Sequence, residues 1–123
     1  MSNKRGRTGI NRIMWASYYS WCGLCSAIKH EAAFRQEFLL VVLMLPFVFW
    51  VGESGVEYLL LIGSCIQVLI VELLNSALEA IVDRVGSEHH VLSGRAKDMG
   101  SAAVFLSLLL MVLCWGTLLV GNF

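Results

Sequence analysis

The sequence predicts an all-α membrane protein, with three transmembrane helices behind an N-terminal amphipathic surface helix. Three observations carry this reading. Hydrophobic residues make up 58% of the 123-residue chain, above the about 45–50% usual in soluble domains. Phe38 to Val51, Tyr58 to Val71 and Met99 to Val120 contain no Asp, Glu, Lys or Arg. Glu72, Asn75, Glu79, Asp83 and Gly86 recur at steps of three and four in otherwise apolar surroundings, which puts them on one helix face about 80° wide. At this length one membrane domain over residues 1–123 is expected. It divides into a surface helix over about 8–30 and spans over about 32–52, 56–84 and 95–121.

The first element is amphipathic. At about 100° per residue, Ile10, Ile13, Met14, Trp21, Leu24, Cys25 and Ile28 fall within about 120° of one face, with Arg12, Tyr19, Gly23, Ser26 and His30 opposite. A helix of this kind lies in the headgroup layer, with Trp15, Tyr18 and Trp21 as interfacial aromatics. The first two uncharged stretches reach spanning length only by running into their charged flanks, toward Phe34 and Asp83. Pro46 is compatible with a membrane helix after local adjustment. The third stretch is about 33 Å long as a helix, enough for a core of about 30 Å. Trp50 and Trp115 read as interface anchors, and the four cysteines as reduced packing residues: Cys22 and Cys25 form a CxxC spacing with no second pair.

Basic residues set the topology. Lys4, Arg5, Arg7, Arg12, Lys29 and Arg35 precede the first span; Arg84, Arg95 and Lys97 lie between the second and third. The loop between the first two spans has only Glu53 and Glu57, so all nine basic residues fall on one side. The positive-inside rule makes that side cytoplasmic, with the N-terminus inside and the C-terminus outside. Nine acids balance the nine bases, and no nucleic-acid partner is expected.

The acidic stripe is the candidate site. A charged residue at the bilayer centre costs roughly 2.5–3.5 kcal/mol on insertion scales and commonly marks function. Counted from a helix start near Glu57, Glu72 lies roughly 22 Å along and Glu79 roughly 33 Å. The stripe therefore meets one membrane boundary and does not continue across. Three spans barely enclose it, which implies a homo-oligomer that shields it between subunits. Two chemistries fit: a carboxylate-lined ion or proton path, or metal-binding acids with a base acting on a lipid headgroup. The clustering at one boundary favours the second. A buried polar cluster that fixes helix register is the structural alternative.

The segment from Asp83 to Gly100 brings Arg95 and Lys97 near those acids, a combination suited to phosphate. It contains no Walker A pattern and no glycine-rich kinase loop. His89 and His90 are adjacent, so on a helix they diverge by about 100° and do not readily share a metal.

Three motifs carry a resemblance: Glu31-Ala32-Ala33-Phe34-Arg35-Gln36-Glu37, the run from Val71 to Arg84, and Ser93-Gly94-Arg95-Ala96-Lys97-Asp98-Met99-Gly100-Ser101-Ala102-Ala103. In order and spacing they resemble the small integral-membrane bacterial diacylglycerol kinases, from about Arg12 onward. The resemblance implies a homotrimer in the bacterial inner membrane with active sites between subunits. It also implies transfer of the γ-phosphoryl of ATP to the free hydroxyl of diacylglycerol, giving phosphatidic acid. By motif match, Glu72 is expected as general base, and Glu31 and Glu79 as the carboxylates holding the Mg²⁺ of MgATP. Arg12, Tyr19, Glu88, His89, His90, Lys97 and Asp98 match nucleotide-contacting positions. Ala16, Trp21 and Ser101 match lipid-substrate contacts, and Asn75 and Glu37 line the site. Relatives often carry a basic residue at Cys22, and an aromatic and an acid at His89 and Val91. Undecaprenol kinases share the architecture and are the nearest alternative; a small carboxylate-lined transport protein is the alternative from another class.

Overall fold

The computed structural model describes residues 8–86, 88 and 90–121. Among them four helices follow one another: α1 (Gly9–His30), α2 (Ala32–Val51), α3 (Gly55–Val85) and α4 (Val91–Val120). The last three are long and apolar enough to cross a membrane. His89, expected in the loop before α4, lies outside the described residues.

The turns follow from local chemistry. Glu31 alone separates α1 from α2; its backbone is extended, its N–H still donates to the Ala27 carbonyl at 2.9 Å, and its carbonyl accepts from Arg35 N at 3.1 Å. Arg35 reaches back across this corner. Its Nη1 donates to the Ile28 and Lys29 carbonyls at 2.9 and 3.1 Å, satisfying acceptors that a helix end otherwise leaves open. Pro46 sits inside α2 without ending it. Ser54 caps α3 by accepting from Glu57 N at 3.2 Å. The fourth helix begins before its apolar stretch, because His90 supplies the cap: its Nδ1 accepts from Leu92 N at 3.0 Å.

At about 1.5 Å per residue, α3 is about 46 Å long and α4 about 45 Å. Both exceed the about 30 Å hydrocarbon thickness, so each carries a polar end beyond its apolar part. α3 is the central helix, packed most extensively on α4 and next on α2. The core joins Val41 and Val48 of α2, Leu61, Cys65 and Val68 of α3, and Met111, Trp115 and Leu118 of α4.

Between helices in lipid, packing and interhelical hydrogen bonds replace the hydrophobic drive. Two such bonds tie α3 to α4. Gln67 Nε2 donates to the Ser107 carbonyl at 2.6 Å, and Trp115 Nε1 donates to the Leu61 carbonyl at 3.2 Å. Trp115 thus corrects its expected place at the interface: it is a core residue, 7% exposed, with its indole N–H satisfied inside the bundle. Trp50 is 80% exposed at the end of α2. Of the cysteines, Cys65 is buried in the core and Cys22 and Cys25 are exposed.

α1 buries only Ala27. Its apolar residues Ile10, Ile13, Met14, Trp21 and Ile28 are exposed, as a helix lying on a lipid surface requires.

The α2–α3 turn depends on Gly52. A Cβ there would stand 2.6 Å from the Tyr58 ring and 3.0 Å from the Val48 carbonyl. Gly52→Ala is expected to destabilise the protein by about 1–3 kcal/mol through overpacking, read as a lower midpoint of thermal unfolding in detergent.

Candidate functional site

One ridge of α3 changes character along its length. Leu61, Cys65, Val68, Glu72 and Ser76 recur every three or four residues and are all buried. The first three belong to the apolar core; the fourth is a carboxylic acid, 4% exposed. The single chain already encloses Glu72, on a helix that packs against both α4 and α2.

Three more acids surround it. Glu37, Glu79 and Glu31 are the carboxylate neighbours of Glu72. They come from three places: the face of α2 that also buries Phe34 and Val41, the next turns of α3, and the α1–α2 corner. Each is half-buried. Among the described residues, no three His, Cys, Asp or Glu side chains are grouped closely enough to hold a metal by themselves. Asn75 Nδ2 donates to Glu79 Oε1 at 3.3 Å. Its Oδ1 is buried and has no hydrogen-bond partner. Gly100 of α4 packs directly on this amide.

Beside the acids lies a cleft of about 540 Å³ between α1 and α3. Glu31 and Ser76 line it, with Ser20, Gly23, Ala27 and Ala80. Small side chains on both helices leave this space open. Ala16 and Trp21, on the same helix, are exposed and do not line it.

A second depression, about 250 Å³, lies where α3 passes to α4. Asp83, Gly86, Glu88, His90, Ser93 and Lys97 line it. Lys97 Nζ pairs with Asp83 Oδ1 at 2.8 Å. Both side chains are largely exposed, so solvent screens this pair and it chiefly fixes where the ammonium points. Glu88 and His90 are exposed. On α1, Arg12 is exposed and Tyr19 half-buried, with ring centroids 5.9 Å from Trp15 and 5.6 Å from Tyr18. Asp98 and Ser101 are exposed on α4, about 160° and about 100° round the helix from the buried Gly100.

The stripe spacing identified the α3 members of the site. It did not reveal the Arg35 clamp, the Asp83–Lys97 pair or the Gly100–Asn75 contact. For the ion pair the only sequence-level hint is opposite charge across a short loop.

A buried acid at the end of an apolar bundle, with further acids, a cleft and a cationic loop beside it, defines a multi-pass membrane protein with a polar site at one end. Comparison with known proteins makes the class specific. The family model described as prokaryotic diacylglycerol kinase matches residues 18–119. The chain is 52% identical over 116 residues to the diacylglycerol kinase of Escherichia coli K12, covering 94% of this chain and 95% of the relative. It is 50% identical over 117 residues to that of Pseudomonas aeruginosa, covering 95% of each chain. For the Haemophilus influenzae diacylglycerol kinase the identity is 47% over 112 residues, covering 91% and 95%. The protein is therefore a membrane-embedded kinase. It belongs to the prokaryotic diacylglycerol kinase family.

Proposed function

We propose that the protein transfers the γ-phosphoryl of ATP to the free hydroxyl of diacylglycerol, giving phosphatidic acid and ADP. The observation that supports this most is the burial of Glu72, 4% exposed, with carboxylates of α2, α3 and the α1–α2 corner acting on it at one end of an apolar bundle. A lipid alcohol reaches such a place laterally, and a nucleotide reaches it from water.

In this reading Glu72 accepts the proton of the lipid hydroxyl as its oxygen bonds to the γ-phosphorus and the bond to the ADP oxygen breaks. Phosphoryl transfer depends almost wholly on positioning and electrostatic stabilisation, so a base held rigidly by packing suits it. Glu31 and Glu79 offer hard carboxylate oxygens. That donor set fits Mg²⁺, which favours oxygen ligands and shares its sphere with phosphate and water. Glu31 and Glu79 would hold the ion; when bound it neutralises phosphate charge. Lys97, Arg12 and Tyr19, with Glu88, His89, His90 and Asp98, contact the nucleotide. Ala16, Trp21 and Ser101 contact the lipid, and Asn75 and Glu37 support the acids.

Asp98 and Ser101 are exposed in the single chain; with the family resemblance, this supports a homotrimer with sites shared between subunits. Residues 1–123 form one domain of the bacterial inner membrane, with the N-terminus and site cytoplasmic and the C-terminus outside, as the one-sided basic residues support.

The test is label transfer in mixed micelles with Mg²⁺ and labelled ATP, offering diacylglycerol and undecaprenol separately. Label is expected in diacylglycerol. Label only in undecaprenol would reassign the substrate, and no ATP-dependent labelling of either would return the site to a transport role.

A further inference from the structure

We infer that Gly100 is a positioning residue: its missing side chain lets α4 seat the Asn75 amide, which in turn aims the Glu79 carboxylate. The inference rests on the reading of Glu79 as a ligand of the nucleotide's metal.

Gly100 is a buried glycine in the middle of α4. Helix-interior glycine is unfavourable relative to alanine, so its presence calls for a reason. The reason is on the facing helix. A Cβ on Gly100 would run into Asn75 Oδ1 and stand 3.2 Å from Asn75 Cγ. Other α4 glycines differ: a Cβ at Gly94 or Gly116 meets nothing within 4 Å.

The amide is not free to yield without consequence. Its Nδ2 donates to Glu79 Oε1 at 3.3 Å, one turn further along α3. That bond sets the amide's orientation, because the reverse would bring two acceptor oxygens together. Oδ1 therefore points toward α4 and is buried without a partner. A buried acceptor left open is unfavourable, and here close packing on Gly100 holds it. A methyl at position 100 would displace the amide, break its bond to Glu79 and release that carboxylate from its aim. Asn75 is the far end of a short side chain, so the result is a displaced site rather than a disrupted bundle.

The test is a double-mutant cycle on the full-length protein in detergent micelles with Gly100→Ala, Asn75→Ala and the double variant. Each is measured for kcat, for the KM of MgATP and of diacylglycerol, and for affinity toward a non-hydrolysable MgATP analogue by calorimetry. Gly100→Ala is expected to lower kcat at least tenfold and weaken analogue binding severalfold, with the KM for diacylglycerol unchanged. In the double variant the methyl has no amide to strike, so the double is no worse than Asn75→Ala alone. Losses that multiply, or a Gly100→Ala protein with normal kcat and binding, would overturn the inference. Should Gly100→Ala fail to fold, recovery of folding in the double variant supports the same clash, and failure of both overturns it. Glu79→Gln is run in parallel: full turnover there would remove the site assignment itself, whereas multiplying losses with an inactive Glu79→Gln remove only the role of Gly100.

Discussion

Glu72→Gln is expected to lower kcat by about 10²–10⁴-fold, the usual contribution of a positioned general base, without loss of fold. The two outcomes separate because of where Glu72 lies. Its side chain is 4% exposed on the same ridge as Leu61, Cys65 and Val68, and its neighbours include Glu37, Glu79 and Glu31. Gln has nearly the same volume, so the ridge packs as before, and the like-charge interaction with the other three carboxylates is removed. Thermal unfolding in detergent should therefore show an unchanged or higher midpoint, and a native gel the same oligomer. Phosphate transfer from labelled ATP reads the other half. Turnover within threefold of the parent protein would show that Glu72 is not the base.

Glu79→Gln should be comparably severe but with a different kinetic profile. Glu79 stands about two turns of α3 beyond Glu72, half-buried, with Oε1 accepting from Asn75. Gln keeps an acceptor for that amide and removes the charge. If the carboxylate holds the nucleotide's metal, kcat falls about 10²-fold or more, corresponding to the several kcal/mol that metal-assisted charge stabilisation supplies. The KM for MgATP rises while that for diacylglycerol stays level. A rise in the lipid KM alone would move Glu79 to the lipid side of the site.

Much of this architecture is written in periodicity. The three uncharged stretches marked the spans, and the phase of Glu72, Asn75, Glu79 and Asp83 placed four polar residues on one side of α3 before any packing was known. What spacing cannot carry is the docking of one helix on another. Trp115 resembles a boundary aromatic until α4 is laid along α3 and its N–H meets the Leu61 carbonyl. Lys97 and Asp83 come together only because the loop folds α4 back beside α3. His90 is one of two adjacent histidines whose spacing gives no hint of a cap, yet it caps the helix it precedes. Gly100 lies within a recognisable motif, but spacing does not say what it faces; its meaning is the atom opposite it. Glu31 lay in a recognisable motif, but its place at a one-residue corner depends on Arg35 gripping the preceding helix.

That grip has a mechanical consequence. α1 is about 33 Å long and is fastened at its Glu31 end, where Arg35 holds the Ile28 and Lys29 carbonyls. It is a lever with its fulcrum beside the acids. A tilt of about 10° at that fulcrum carries the far tip through about 6 Å for a helix of this length, while Glu31 hardly shifts.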